Sequence, residues 1–147
     1  MNRVEKSEEL FLKGYNCSQA VIGAFCDKID LSFDDAMKIS LGFGGGMGRM
    51  REVCGACSGA FMVIGMLYGK SAPTTTEERK ELYARIRAIA EEFRIDNGSI
   101  ICNDLLGGNA EVGGTPSERT KEYYKKRPCV ECVKSAVRIL EEYIENN

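Results

Sequence analysis

Helix-forming patterns run along almost the whole chain. The clearest is a series of apolar residues spaced by four, three and four positions: Leu82, Ile86, Ile89 and Phe93. This spacing places them on one face of an amphipathic helix, whereas no segment shows the two-residue alternation typical of a half-buried strand. We therefore predict an all-α fold, a helical bundle of about six or seven helices with glycine-rich connections, and a single domain over residues 1–147.

Capping residues predict where individual helices begin. Asn16 is followed three positions later by a glutamine, the pattern of a capping box. Ser99 predicts the start of a short helix over residues 100–106. The stretch Thr115–Glu118, with proline at its second position, predicts another helix start. The final helix is expected over residues 129–144, with its valines and leucine facing inward.

The balance of cysteine and histidine restricts the chemistry. There is no histidine, and the seven cysteines are Cys17, Cys26, Cys54, Cys57, Cys102, Cys129 and Cys132. Without imidazole, Ser–His and Cys–His nucleophile pairs are excluded, as are zinc sites that mix cysteine with histidine. Because the charged N-terminus has no apolar signal region, we expect a cytoplasmic protein. In that compartment cysteines serve metal binding or redox chemistry more often than a disulfide scaffold.

Charge and hydropathy argue against other classes of partner. The formal net charge is -2 with no long block of one sign, so we expect no nucleic-acid partner. The longest strongly apolar stretch, residues 60–68, is too short to span a bilayer, so we expect no membrane partner. The glycine-rich run over residues 42–48 matches neither common phosphate-binding glycine motif. We expect this run to allow close backbone approach to a neighbouring helix or to a cluster of sulfurs.

Four of the cysteines fall at predicted helix starts: Cys17, Cys54, Cys102 and Cys129. A helix N-terminus carries partial positive charge and unpaired N–H groups, which favour a thiolate over a thiol. We therefore expect lowered cysteine pKa values at these positions. Basic side chains nearby in sequence are expected to add to the effect. They are Arg49 and Arg51 for Cys54, and Lys125, Lys126 and Arg127 for Cys129.

Two of these cysteines belong to C-x-x-C pairs, Cys54 with Cys57 and Cys129 with Cys132. Residues three apart lie on one face of a helix, which suits two ligands of one metal or a dithiol. Cys57 and Cys132 are therefore additional candidates as metal ligands. Cys26 lies at the end of an apolar helix face and is predicted to belong to the core.

At these residues the chain resembles a family of small redox-active proteins named for a C…CGAxxG…C…C pattern. The pattern reads Tyr15-Asn16-Cys17-Ser18-Gln19-Ala20-Val21, then Cys54-Gly55-Ala56-Cys57-Ser58-Gly59, then Cys102 and Cys129. The resemblance covers nearly the whole chain. It implies a redox-active protein associated with oxidoreductase or transport systems, whose functional cysteines are those four. Cys26, Cys57 and Cys132 lie outside the four-cysteine pattern.

Three hypotheses for the function remain open at this point. In the first, Cys17, Cys54, Cys102 and Cys129 converge, and pairs of them cycle between dithiol and disulfide, passing two electrons to a partner oxidoreductase. In the second, the same four thiolates coordinate an iron–sulfur cluster or zinc. In the third, the protein is a non-catalytic interaction subunit, homodimeric through its small-residue helices. We favour the first, because ligands of zinc and of iron–sulfur clusters more often come in compact runs.

Overall fold

The computed structural model describes residues 1–147 as ten helical segments without a β-sheet. They are α1 Arg3–Leu12, α2 Cys17–Gly23, α3 Cys26–Ile29, α4 Phe33–Leu41, α5 Gly44–Met47, α6 Gly55–Tyr68, α7 Thr76–Asn97, α8 Cys102–Leu105, α9 Lys121–Lys126 and α10 Cys129–Asn146. The all-α prediction is confirmed, and three of the ten segments, α3, α5 and α8, are single turns of four residues. None of the helices combines the length and hydropathy that crossing a membrane requires.

The core lies between α2, α6 and α10, with α1, α4 and α7 packed around them. Five helices each contribute a large side chain that is at most 1% exposed: Phe11, Ile22, Val63, Phe93 and Leu140. α6 buries small and apolar residues around most of its circumference over its first turns. This all-round burial makes α6 the central helix, against which the others are arranged.

Side-chain caps fix several helix starts where the sequence predicts them. The Asn16 side chain accepts a hydrogen bond from the Gln19 N–H at 3.1 Å. In return the Asn16 N–H donates to Oε1 of Gln19 at 3.0 Å, which completes the capping box. Ser32 caps α4 in the same manner, accepting from the N–H of Asp35. The predicted start of α2 is therefore confirmed, and α2 begins at Cys17.

The predicted helix start at Ser99 is wrong, because the chain continues extended to residue 101. There it pairs with residues 52–54. The Cys54 N–H donates to the Ile100 carbonyl at 2.8 Å, and the Cys102 N–H donates to the Glu52 carbonyl at 2.6 Å. These bonds occupy the backbone groups that a longer helix would use, so α8 begins only at Cys102.

The predicted start at Thr115–Glu118 is also wrong. α9 begins at Lys121, where the Thr120 hydroxyl accepts a first-turn N–H at 3.2 Å. Between Ser117 and Thr120 there is no apolar side chain that a helical turn could bury. The Arg119 guanidinium instead donates to two carbonyls at the end of α1 and just after it, which holds this segment against α1.

Two glycines of α6 allow it to approach the start of α2 closely. A Cβ atom on Gly59 would lie 2.7 Å from the Ser18 carbonyl oxygen, and one on Gly55 would lie 3.2 Å from the Cys17 Cβ. Real Cβ atoms do not approach backbone oxygen as closely as 2.7 Å. The absence of side chains at these two positions therefore sets the distance between α2 and α6.

We expect Gly59→Ala to lower the free energy of unfolding by about 1–3 kcal/mol, since the new methyl group would have to push α2 away. Gly65→Ala, in the same helix, is the matched control because nothing lies within 4 Å of its Cβ position. The control should be neutral or stabilise the protein by up to about 1 kcal/mol through helix propensity. Urea unfolding followed by circular dichroism measures the free energy of unfolding of each variant. Equal changes in the two variants would show that the close approach of α2 to Gly59 does not limit stability.

Candidate functional site

The four cysteines at the helix starts meet at one cavity of about 60 Å³, which we call the thiol cavity. Cys17, Cys102 and Cys129 are the first residues of α2, α8 and α10, and Cys54 is the residue just before α6. The close packing of α2 on α6 brings Cys17 towards Cys54. The extended pairing of residues 52–54 with residues 100–102 brings Cys102 beside them.

A fifth thiol also lines the thiol cavity. Cys132, which lies outside the four-cysteine pattern, is buried one turn after the start of α10 and faces the same space. Cys57, one turn into α6, is buried in the core instead. Cys26 is half-buried on α3, where it packs against the core away from the cavity. The two C-x-x-C pairs are therefore not equivalent, since only one of them places both thiols at the site.

The cavity thiols associate in pairs that join different helices, not in the C-x-x-C pairs expected from sequence spacing. Cys17 and Cys129 are each the largest influence on the pKa of the other, and Cys132 is the largest influence on the pKa of Cys54. Cys17 and Cys129 are half-buried, whereas Cys54 and Cys132 are buried. We call them the outer pair and the inner pair. All seven cysteines are free thiols.

One member of the outer pair is a stabilised thiolate. The hydrogen bond from Cys17 lowers the pKa of Cys129 to about 7, and the positive charges of Arg127, Arg119 and Arg51 act in the same direction. The pKa of Cys17 is correspondingly raised well above its usual range, first by this bond and then by burial. The outer pair therefore carries a single negative charge near neutral pH, which is centred on Cys129.

The expectation of lowered pKa values at all four helix starts is wrong for three of them. The pKa of Cys54 is raised well above its usual range by its hydrogen bond with Cys132 and by burial. Burial also raises the pKa of Cys102, opposed by a hydrogen bond from Nη1 of Arg51 at 3.7 Å. Loss of hydration and neighbouring sulfurs outweigh the field of a helix N-terminus at these positions. The expectation holds for Cys129 alone.

The basic residues expected near the cysteines are only partly at the site. Arg51 contacts Cys102, not the Cys54 that is nearer in sequence. Arg127 lines the thiol cavity, as does Arg119, which the sequence does not connect with any cysteine. Lys125 and Lys126 are exposed and do not line it. Only long-range packing between the end of α1 and residues 119–127 brings Arg119 to the site.

A left-handed loop brings Arg51 to Cys102. Residues 45–49 and Arg51 all have positive φ angles, which a non-glycine residue adopts at a cost of about 1 kcal/mol. A Cβ atom on Gly46 would lie 2.6 Å from the Cβ of Cys102, so only glycine fits there. The expected close approach of the glycine run to the sulfurs is therefore present at Gly46.

No group of three or more cysteine, aspartate or glutamate side chains is arranged to hold a metal ion. Four of the five cavity thiols belong to the outer and inner pairs. The fifth, Cys102, contacts the guanidinium of Arg51. Two of them, Cys17 and Cys129, are also partly accessible from outside. This arrangement offers a thiolate, a thiol beside it and a second dithiol behind them, the groups that thiol–disulfide exchange requires.

The chain belongs to the family described as "Putative redox-active protein (C_GCAxxG_C_C)", whose family model matches residues 15–143. The description spells the central motif GCAxxG, whereas the chain reads CGACSG over residues 54–59. The matched range contains all seven cysteines, including the five that line the thiol cavity.

Among curated proteins, the chain is similar to one named "Uncharacterized protein" from Archaeoglobus fulgidus. The two are 26% identical over 141 residues, which cover 91% of this chain and 87% of the relative. No solved structure matches the chain.

We expect Cys129 to be alkylated by iodoacetamide at a rate that rises through about pH 7, because its thiolate forms above that value. Cys17, Cys54 and Cys102, whose pKa values are raised, should react only at higher pH. Cys17→Ala removes the hydrogen bond and raises the pKa of Cys129, so its alkylation at pH 7 should slow about tenfold. Cys26→Ala, away from the cavity, should change nothing. Site-resolved mass spectrometry measures the rates, and a Cys129 profile unaffected by Cys17→Ala would contradict the assignment.

Proposed function

We propose that this member of the redox-active family carries out thiol–disulfide exchange, with Cys129 as the attacking thiolate and Cys17 as the resolving thiol. The observation that carries the proposal is the outer pair itself. Both thiols line the same cavity and are partly accessible, each is the largest influence on the pKa of the other, and the pKa of Cys129 lies near neutral pH. A thiol with a pKa near the ambient pH combines a high thiolate fraction with good nucleophilicity.

In the first step, the Cys129 thiolate attacks one sulfur of a disulfide on a partner. A sulfur–sulfur bond forms between Cys129 and that sulfur, the original disulfide bond breaks, and the other sulfur leaves as a thiolate. The charges of Arg119 and Arg127 lower the pKa of Cys129 and stay beside the site during this exchange.

In the second step, Cys17 loses its proton to solvent and attacks Cys129 in the mixed disulfide. This forms the Cys17–Cys129 disulfide and releases the second partner sulfur as a thiolate. Two electrons have then passed from the protein dithiol to the partner disulfide, with one disulfide formed and one broken. The shared cavity supports this step, since both thiols line it and each is the largest influence on the pKa of the other.

The inner pair gives the site a second dithiol. Cys54 and Cys132 are buried and line the same cavity as the outer pair, and Cys54 is close enough to influence the pKa of Cys17. In our proposal they reduce the outer disulfide by the same exchange, so that the fully reduced site holds four electrons.

Cys102, bonded to Arg51, holds that guanidinium at the cavity as a positioning residue. In this proposal the site reduces a partner that carries a disulfide and supplies electrons to an oxidoreductase system.

The second candidate function is metal binding, and one observation favours it. The four cysteines of the family pattern line a single cavity without any histidine, which is the donor set of a Cys₄ zinc or iron–sulfur site. Cys17, Cys54, Cys102 and Cys129 would be the ligands, with Cys132 as a further donor and Cys57 too deeply placed in the core. The thiols would have to leave their present pairs to surround a metal.

Metal analysis separates the two candidates. We expect anaerobically purified protein to be colourless and to contain less than stoichiometric iron and zinc, because the thiols are engaged with one another. The measurement is an absorption spectrum with elemental analysis, repeated after an attempt to reconstitute the protein with iron and sulfide. Stoichiometric iron with a broad visible band, before or after reconstitution, would overturn the exchange mechanism, and stoichiometric zinc would favour a structural site.

We expect Cys17→Ser to accumulate a mixed disulfide on Cys129 when it is treated with hydroxyethyl disulfide, because the resolving thiol is missing. Cys129→Ser should react at least about a hundredfold more slowly, since no accessible low-pKa thiol remains. Intact-mass spectrometry detects the adduct. Cys26→Ser is the matched control and should form the Cys17–Cys129 disulfide as the unaltered protein does. Adducts on Cys26 in place of Cys129 would contradict the proposal.

A further inference from the structure

A second, larger groove opens beside the thiol cavity. It has a volume of about 340 Å³, within the range of small-molecule binding sites. The groove and the thiol cavity share walls, and the residues common to both are Asn16, Gly45, Arg51, Arg119, Tyr123 and Arg127. A molecule bound in the groove would therefore lie directly against the entrance to the thiols.

Positive charge dominates this groove. Four arginines line it, and we call it the arginine groove: Arg49, Arg51, Arg119 and Arg127. No aspartate or glutamate lines either the arginine groove or the thiol cavity. None of the four guanidinium groups forms an ion pair with a carboxylate. This concentration is local, because the whole chain has 20 basic and 22 acidic residues.

Neutral groups hold the arginines in place. Arg51 Nε donates to the Glu111 carbonyl at 2.8 Å, and Arg119 donates to two carbonyls at 3.0 Å each. Arg49 donates to the Gly113 carbonyl. The Arg127 guanidinium lies 4.9 Å from the centre of the Tyr123 ring. These contacts fix where the guanidinium groups lie, but carbonyls and rings do not neutralise their charge.

The charges in the groove exceed what the thiols can neutralise. Arg51 is only 5% exposed, and a buried charge without a partner of opposite sign is strongly unfavourable. The Cys129 thiolate supplies one negative charge near neutral pH. Arg49 lines the groove but not the thiol cavity, so the thiols do not neutralise its charge. The Glu111 carboxylate is near it without forming an ion pair, since Oε1 of Glu111 and Nη1 of Arg49 both lie 3.5 Å from the Cβ position of Gly114. The arrangement is complementary to a ligand with more than one negative charge.

We propose that the arginine groove binds the acidic groups of a small disulfide that carries two negative charges, presenting its sulfurs to Cys129. This inference rests on the proposed function and specifies its substrate class. Cys129 displaces one half of the molecule as an acidic thiolate, and Cys17, after losing its proton, displaces the other half. The substrate disulfide is reduced to two acidic thiols, and the outer pair is oxidised to a disulfide.

The test compares three alkyl disulfides of similar size: dithiodipropionate with two negative charges, neutral hydroxyethyl disulfide, and cystamine with two positive charges. Each rate of oxidation of the outer pair is divided by the rate of the same disulfide with a free small thiol. At low salt the dianion should react about tenfold or more faster than the dication. The preference should disappear at about 1 M salt. Equal normalised rates at low salt would overturn the inference.

Arg49→Gln isolates the groove from the thiols, because Arg49 does not line the thiol cavity. It should reduce the rate with the dianion severalfold more than it reduces the rate with the neutral disulfide, because only the dianion uses the charge of Arg49. Arg87→Gln is the matched control. Arg87 is exposed on α7, so this substitution removes the same charge at a position outside the arginine groove. If the two variants change the rate with the dianion equally, net charge alone causes the preference. That result would overturn the proposal that the arginine groove binds the substrate.

A redox-inert ligand separates the two possible failures. Suberate has the shape of dithiodipropionate, with methylene groups in place of the sulfurs. Calorimetry should show that it binds the unaltered protein and binds Arg49→Gln more weakly. If suberate binds but no disulfide oxidises the outer pair, the anion site stands and the exchange function fails. If hydroxyethyl disulfide oxidises the outer pair but suberate does not bind, the exchange stands and the anion site is wrong.

Discussion

The distance between α2 and α6 controls the rest of the site. Gly55 and Gly59 bring the α6 backbone against Ser18, at a separation that no side chain would permit. Because α2 begins at Cys17 and α6 begins just after Cys54, this contact also brings two thiols towards one point. The start of α10 then packs on the same point and adds Cys129 and Cys132. Helix packing and thiol chemistry therefore depend on the same two glycines.

Five sulfurs around one small cavity cannot all be ionised, since each thiolate raises the pKa of its neighbours. The structure distributes the protons unevenly. Cys129 receives a hydrogen bond and faces several guanidinium groups, so it ionises first. Cys54 stays protonated because its hydrogen bond with Cys132 and its burial raise its pKa. Accessibility and a low pKa thus coincide on one sulfur, Cys129.

Local sequence signals predict the helices well. The capping box at Asn16 and the apolar series in α7 depend only on neighbouring residues, and both are present in the structure. Contacts between distant segments override such signals at Ser99, where pairing with residues 52–54 keeps the chain extended. The same limit applies to the site. Its four family cysteines can be found from their pattern, but the partnership of Cys54 with Cys132 and the role of Arg119 depend on tertiary packing.

The outer pair joins the second helix to the last one, and this has a consequence for stability. Cys17 and Cys129 are separated by 129 − 17 = 112 positions, so a disulfide between them would enclose most of the chain. Closing a loop of this size lowers the entropy of the unfolded chain and stabilises the folded state by about 4–5 kcal/mol in the loop-entropy account. Oxidation would therefore alter resistance to heat and to proteolysis as well as reactivity. In a cell, the lifetime of the protein would then depend on the redox state of its surroundings.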